Sequence, residues 1–438
     1  MKLLQNVIHK LAIGTGLRHL RVGLACLAVV MLAAGYNWRA ARNLGTQEAM
    51  DTAQVARNLA EGKGYTTQFI RPFSLYLVKQ RSEAKFGRVP LGENADYSQI
   101  KGRHPDLANP PVYPGVLAAL MKVLPFEWVI GPPKFFWSND GRFLRYKPDF
   151  LIGFFNEFLF FAVIGLTFLL ARRLFDPGVA WLSGILLLGC EWLWRFSVSG
   201  LSTMLLLVIF MGLVWCLVFI EREAREPRWG LRGLLLLAAA AGLLVGLGAL
   251  TRYAFGWMIV PVTGFFILFA GPRKAMLCLV AVAVFALVLS PWVYRNYRIC
   301  GAPFGTATFA IVEATGMFPE HKLARALEPN FNRLEMRVGT FTHKLLNNSR
   351  QILQDDLPRL GGSWLTPLFL AGLLLVFRNP AIRRLRYFLM MTLAMLIVVQ
   401  ALGRTQLSED SPEFNSENLL VLLQALARGI ESTSGNPG

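Results

Sequence analysis

The sequence predicts an all-α, polytopic integral membrane protein. Of its 438 residues, 54% are hydrophobic, and the mean hydropathy of +0.44 is well above that of a soluble domain. The apolar residues come in runs long enough to cross a bilayer, separated by short loops that carry lysine and arginine. We expect about nine or ten transmembrane helices, further helices that lie in the interface, and two larger extracytoplasmic loops.

The formal net charge of +18 raises the question of a nucleic-acid partner. The basic residues are spread over loops between apolar runs, as orientation signals are, so the expected partner is anionic membrane lipid and not nucleic acid. Four of the five cysteines lie within apolar segments and Cys300 stands alone, which predicts neither a disulfide framework nor a zinc site. The five histidines are scattered without ligand spacing.

The first predicted span covers residues 22–36. Lys2, Lys10, Arg18 and Arg21 precede it, and no clear small-residue cleavage site follows. This pattern is typical of a retained anchor helix with a cytoplasmic N-terminus. The membrane is expected to be the inner (plasma) membrane of a bacterium, with the active site on the periplasmic or exterior face.

Residues 48–65 form the stretch whose residues most clearly suggest a catalytic site. Apolar residues recur there at helical spacing and predict a short amphipathic helix: Ala49, Met50, Ala53, Val55, Ala56 and Leu59. Gly62 and Gly64 tolerate positive φ and are expected to end it. Asp51 can face back toward the bilayer, and a carboxylate desolvated on one side is a better proton acceptor than a hydrated one. The alternative is a solvated surface acid.

The apolar run at 113–125 is too short to cross a bilayer and predicts an interfacial helix. With this helix in the interface, the basic clusters near 172, 222–228, 273 and 378–386 all fall on the cytoplasmic side; a crossing helix would put them all outside. Further spans are expected at 150–170, 179–194, 201–220, 234–250, 255–270, 276–292, 364–377 and 388–402, with a short apolar run at 419–426.

This topology divides the chain into a transmembrane module at 1–405 and a short C-terminal segment at 406–438. The module has extracytoplasmic loops at 37–149 and 294–360. The same outer face is expected to collect the polar candidates: the Asp51 helix, the Asn109-Pro-Pro segment, Arg195, Arg252, the Arg295-Asn296 pair and Arg404.

Three patches of sequence carry a family resemblance. They are Glu48-Ala-Met-Asp51 followed by Ala56-Arg-Asn58-Leu-Ala-Glu-Gly62-Lys-Gly64, then Pro110-Pro-Val-Tyr113-Pro, and Pro291-Trp-Val-Tyr-Arg295-Asn-Tyr-Arg. Together they resemble the GT-C glycosyltransferases of family 39 type, which include protein O-mannosyltransferases and the bacterial aminoarabinose transferase. The resemblance covers roughly residues 20–405, with specific matches in these patches alone.

The resemblance implies an inverting transferase that moves a sugar from a polyprenyl-phosphate donor to a glycan, lipid or protein acceptor on the extracytoplasmic face. Asp51 matches the family's catalytic acid, and Glu48 is the second choice for the base. Arg295 is the first choice for the donor phosphate, since a guanidinium can grip two phosphate oxygens. The remaining candidates are Arg252, Arg195 and Asn296 at the phosphate, and Asn109, Pro110, Tyr113 and His104 at the interface or donor groove.

The sequence also departs from the family pattern. The place of a second acid, after the third span, reads Arg195-Phe-Ser-Val-Ser without one, and Glu191 lies one turn earlier. Asn109 stands where many members have a basic residue or histidine, and the C-terminal segment is short. A divalent metal cation between Asp51 and the donor phosphate is compatible with the resemblance but not required by it.

Two alternatives therefore stay open. One is a non-catalytic or degenerate GT-C-like membrane protein, and the other is a lipid or oligosaccharide transporter. A transporter is expected to show repeated halves and acids near the midplane of the membrane. The sequence has no convincing repeat, and its acids gather at the predicted outer surface, which favours the transferase.

Overall fold

The computed structural model describes residues 15–40, 43–86, 103–128, 146–226, 229–315, 317–319, 322–331, 338–358, 372–373, 379–403 and 419–423. Arg404, most of the predicted span at 364–377 and most of the C-terminal segment lie outside these ranges.

The described residues form an all-α fold, as predicted. The α-helices are α1 Thr15–Ala40, α2 Gln47–Ala60, α3 Pro72–Phe86, α4 Val112–Val123, α5 Lys147–Leu174, α6 Pro177–Leu188, α7 Glu191–Val198, α8 Thr203–Arg225, α9 Gly230–Thr251, α10 Ile259–Phe269, α11 Lys274–Cys300, α12 Lys322–Arg325, α13 Val338–Gln351 and α14 Pro380–Gly403. Three 3₁₀ segments, Tyr253–Met258, Gly271–Arg273 and Gly305–Phe309, and a π-helical turn at Ile352–Asp356 complete the helical elements. One small antiparallel sheet pairs β1 Thr66–Thr67 with β2 His104–Pro105.

Five of the described helices are long and apolar enough to cross a membrane: α5, α8, α9, α14 and the unit Gly271–Cys300. The pair α6 and α7 makes a sixth if it counts as one span, although it bends by 57° at Gly189 and Cys190. The segment predicted as one span at 179–194 is therefore two helices with a bend between them. The protein is a polytopic integral membrane protein.

Two predicted segments are shorter than a full span. The run at 113–125 becomes α4, a helix of 12 residues, in agreement with a helix that does not cross. The predicted span at 255–270 becomes a 3₁₀ segment of 6 residues followed by α10 with 11 residues. Arg252, extended at φ −157°, separates this unit from α9.

The basic clusters predicted to share a side lie at one end of the helices. Arg384 at the start of α14 pairs with Glu221 near the end of α8 at 3.2 Å, and Arg225 pairs with the same carboxylate at 2.7 Å. Asn379 donates to the carbonyl oxygen of Leu174 at the end of α5 at 3.2 Å. The opposite end, where α5 and α8 begin, holds the candidate site.

Helices α9 and α11 pack with their backbones in close approach. A Cβ atom at Gly242 would lie 2.2 Å from the carbonyl oxygen of Ala281, and one at Gly246 would lie 2.8 Å from Val288. Small residues allow such contact between membrane helices. This pair sets the positions of Arg252 and Arg295, which lie at the site end of α9 and α11.

Candidate active site

Helix α2 forms as the sequence predicts and presents Asp51 to the protein interior. Its N-cap is Thr46, whose Oγ1 accepts a hydrogen bond from the Ala49 amide at 3.3 Å. Gly62 and Gly64 follow the helix with φ of +71° and +76°, conformations that glycine adopts readily. Asp51 is buried at 3% exposure, which rules out the alternative of a solvated surface acid.

Hydrogen bonds from two other segments fix the Asp51 carboxylate. Thr67 in β1 donates from Oγ1 to Asp51 Oδ1 at 2.9 Å, and Asn109 donates from Nδ2 to Asp51 Oδ2 at 2.9 Å. Thr52 donates to Asn109 Oδ1 at 3.3 Å and holds the amide in this orientation. The pairing of β1 with β2 brings the segment that contains Asn109 beside α2.

Arg71 completes the contacts of Asp51. The residue lies immediately before α3, where its carbonyl oxygen accepts from the Ser74 amide at 3.0 Å. Its Nη2 atom is 2.8 Å from Asp51 Oδ2, and its Nη1 atom is 3.8 Å from Asp106 Oδ1. One guanidinium thus stands beside two carboxylates.

Asp106 orders the segment that follows β2. Its two carboxylate oxygens accept from the backbone amides of Ala108 and Asn109, each at 3.1 Å. This turn directs Asn109 toward Asp51. Burial, together with the negative charge of Asp51, raises the pKa of Asp106, while its backbone hydrogen bonds and Arg71 oppose the shift.

Glu48 lies one helical turn before Asp51 and faces Arg252. The Arg252 Nη1 atom is 3.9 Å from Glu48 Oε1. Protein atoms displace water from the Glu48 carboxylate and so raise its pKa. The nearby guanidinium of Arg252 lowers it and opposes this shift. Glu48 is part of α2 and Arg252 contacts it, so both residues belong to the candidate site.

Arg295 and Asn296 hold the site together from α11. Arg295 donates to the carbonyl oxygens of Asp106 at 3.0 Å and Tyr65 at 3.3 Å, and to Asn296 Oδ1 at 2.8 Å. Its guanidinium also lies 4.5 Å from the centroid of the Trp292 ring. Asn296 is fully buried. These contacts make Arg295 a tether between α11 and the loops around Asp51.

The remaining predicted residues fall at different distances from Asp51. Pro110 accepts a hydrogen bond at its carbonyl oxygen from the Tyr65 hydroxyl at 3.0 Å, in the segment beside Asn109. Tyr113 is buried in α4 and donates to the carbonyl oxygen of Gly200 at 2.9 Å, where it links α4 to the turn before α8. Arg195 instead pairs with Glu191 on α7 and is 42% exposed.

A groove opens beside Arg71, and we call it the Arg71 groove. Its polar lining includes Thr67, Arg71, Ser74, His104 and Asp106, and its apolar lining includes Leu75 and Leu107. His104, predicted as an interfacial residue, lies in β2 at the wall of this groove. The groove therefore gives the guanidinium that covers Asp51 an open side.

Sequence reasoning did not select Thr67, Arg71 or Asp106 for the site. The spacing from Asp106 to Asn109 is typical of an acid that caps a turn three residues ahead, and this signal was available. Thr67 and Arg71 carry no local signal, since their role arises from tertiary contacts. Across the described residues no group of three or more His, Cys, Asp or Glu side chains could hold a metal ion.

The sequence matches no protein-family model and no curated protein. Among solved structures the chain is similar to ArnT from Cupriavidus metallidurans bound to undecaprenyl phosphate, with TM-score 0.47 and 15% identity over 95% of this chain and 60% of that one. It is also similar to the Archaeoglobus fulgidus oligosaccharyltransferase AglB in complex with an inhibitory peptide and a dolichol-phosphate, with TM-score 0.44 and 13% identity over 87% and 49%.

A structure of the Archaeoglobus fulgidus oligosaccharyltransferase with Zn and sulfate gives TM-score 0.43 and 13% identity over 88% of this chain. The chain thus spans 60% of the ArnT chain and about half of the archaeal chains.

Proposed function

We propose that the chain is a membrane glycosyltransferase that moves a sugar from a polyprenyl-phosphate donor to a hydroxyl-bearing acceptor on the extracytoplasmic face, with inversion at the anomeric carbon. The sequence patches around Asp51, Pro110 and Arg295 support this proposal, and so does the placement of the polar site at the end of the helices opposite the basic clusters.

The observation that carries the proposal is the buried, oriented carboxylate of Asp51. Oδ2 contacts both Asn109 and Arg71, whereas Oδ1 accepts from Thr67. A carboxylate oxygen has two lone-pair sites, so Oδ1 keeps one for a further proton. Oδ1 is therefore the atom assigned to take the proton of the acceptor.

The reaction follows from this assignment. The acceptor O–H transfers its proton to Asp51 as the acceptor oxygen forms a bond to the anomeric carbon. The bond from that carbon to the phosphate oxygen breaks on the opposite face, and the polyprenyl phosphate leaves with the electron pair, which inverts the configuration. Arg252, at the end of α9, is proposed to stabilise the leaving phosphate.

The test is the Asp51→Asn variant in lipid-reconstituted protein, assayed with a panel of labelled polyprenyl-phosphate sugars. The variant is expected to bind donor but to transfer about 10²–10⁴ times more slowly than wild type, since it cannot accept the proton. Asp355→Asn makes the same chemical change at an exposed acid and is expected to transfer normally. Normal transfer by Asp51→Asn would show that Asp51 is not the base.

One observation favours the transporter alternative. Glu157 is 1% exposed inside the span α5, and the Asn37 amide of α1 donates to it. Buried acids within spans are a feature of carriers. If wild type binds polyprenyl-phosphate sugars, transfers none of them and carries a labelled one across vesicles in a manner lost in Glu157→Gln, the protein is a carrier.

A further inference from the structure

We infer that Arg71 is a latch on the base, released when an anionic phosphate group binds in the Arg71 groove. Without the anion, the guanidinium pairs with Asp51; with it, the guanidinium turns to the phosphate and leaves the carboxylate free. The ligand class is a phosphate-bearing molecule. The inference rests on the proposed function, because a latch on Asp51 matters only if Asp51 is the base.

Exposure distinguishes the cation from its partners. The side chain of Arg71 is 25% exposed, while those of Asp51 and Asp106 are each 1% exposed. A ligand in the groove therefore meets the guanidinium first. The carboxylate of Asp51, which does not line the groove, becomes accessible from it when the guanidinium moves.

The guanidinium is held unevenly. Nη2 lies 2.8 Å from Asp51, which is a close charged contact, but Nη1 lies 3.8 Å from Asp106, beyond hydrogen-bond distance. A phosphate oxygen at the Nη1 side would form a charge-assisted hydrogen bond there. The move to the anion replaces the ion pair between Arg71 and Asp51 with one between Arg71 and the phosphate.

Both carboxylates keep their positions after such a move. Asp51 retains its hydrogen bonds from Thr67 and Asn109, and Asp106 retains those from two backbone amides. The site is therefore already built for catalysis with Arg71 absent. The guanidinium supplies charge compensation, which the anion removes.

Release of Arg71 also changes the chemistry of the pocket. In the described part of the chain, Arg71 is the cation that reaches both Asp51 and Asp106. Two buried carboxylates without a cation between them take up a proton more readily than a compensated pair. Binding of the phosphate thus strengthens the base when the donor is in place.

The groove offers further contacts for a phosphate group. Ser74 and His104 line it together with Arg71. A hydroxyl and an imidazole can each donate a hydrogen bond to a phosphate oxygen. Leu75 and Leu107 provide an apolar wall, which suits a phosphate carried on a lipid.

Labelling with a hydrophobic carbodiimide tests the latch without measuring transfer. The reagent modifies protonated carboxyl groups, and mass spectrometry of the Asp51 peptide gives the rate. The protein is reconstituted in vesicles that contain undecaprenyl phosphate, undecaprenol or neither, and a fourth sample receives inorganic pyrophosphate. In wild type we expect undecaprenyl phosphate to raise the labelling rate about fivefold, because the guanidinium that pairs with the Asp51 carboxylate has moved away.

Variants make the result specific to Arg71. Arg71→Gln is expected to label at the fast rate in every sample, because its base is never covered. Arg71→Lys keeps the charge and is expected to respond to the phosphate, which preserves the test if the glutamine variant does not fold. Arg57→Gln, on the same helix as Asp51 but paired with Glu61, is expected to behave as wild type.

The samples also identify the source of the anion. A response to both undecaprenyl phosphate and pyrophosphate means that a phosphate group suffices, and a response to the lipid alone means that the lipid must carry it. A response to undecaprenol, or slow labelling of a folded Arg71→Gln variant, overturns the latch. If labelling responds but no sugar is ever transferred, the latch stands and the proposed function is wrong.

Discussion

Asn109 donates a 2.9 Å hydrogen bond to Asp51 across 58 residues of the chain. This contact joins α2 to the segment that precedes α4, and it orients the proposed base. Replacement of Asn109 tests whether that orientation matters for chemistry.

Asn109→Ala is expected to lower the transfer rate about tenfold to a hundredfold, with little change in donor affinity, because the carboxylate loses one of the donors that fix it. Transfer kinetics with saturating labelled donor measure this. Asn347→Ala, at an exposed amide on α13, is the matched control and should leave the rate unchanged. An Asn109→Ala enzyme with full activity would show that Asp51 needs no such support.

Asp106 predicts a pH dependence of stability. Its pKa is raised from the ordinary value of 3.8, so the folded protein keeps the proton over a range where the unfolded chain has released it. The free energy of unfolding therefore falls as the pH rises from 3.8 through the raised pKa. Thermal unfolding in detergent should show that the stability of Asp106→Asn falls less than that of wild type over this pH window. If the two proteins lose stability in parallel as the pH rises, the prediction is wrong.

Gly200 predicts a large steric effect. A Cβ atom there would lie 2.2 Å from Leu44 Cδ2, and the residue has φ +76°. Gly200→Ala is expected to lower the free energy of unfolding by about 2–4 kcal/mol, from strain and overpacking together. Gly62→Ala has φ +71° but open space, so it should cost about 1 kcal/mol. If thermal unfolding shows that Gly200→Ala and Gly62→Ala lose the same stability, the steric argument is wrong.

Arg295 and Arg195, both phosphate candidates from sequence, are expected to differ in their effect on stability. Arg295→Ala leaves the carbonyl oxygens of Asp106 and Tyr65 without this donor and should cost about 1–3 kcal/mol. Arg195→Ala removes an exposed pair with Glu191 and should cost less than about 1 kcal/mol. Thermal unfolding of both variants, with donor binding measured in parallel, shows whether each arginine stabilises the fold or binds the donor phosphate.

Local features of the fold could be predicted from the sequence. The amphipathic period and the two glycines predict helix α2, and the length of the run at 113–125 predicts a helix as short as α4. Charge distribution grouped the basic clusters at one end. These features depend on residues that are close together in the chain, so spacing alone reveals them.

The contacts of the site could not be predicted in the same way. Asn109 reaches Asp51 because β1 pairs with β2, and that pairing joins Thr67 to His104 and Thr66 to Pro105, which are 37 and 39 positions apart in the chain. Arg295 matches a family patch, yet no sequence pattern shows that backbone carbonyls occupy its guanidinium. The break at Gly189 also depends on how α6 and α7 pack.

The glycine contacts between α9 and α11 have a mechanical consequence. Because Gly242 packs against the carbonyl of Ala281, the two helices cannot slide past each other without a backbone collision. They therefore move as one rigid unit. Arg252 and Arg295 are then held at a constant separation. A rearrangement that separates Arg252 from Arg295 would therefore have to break the contact between α9 and α11.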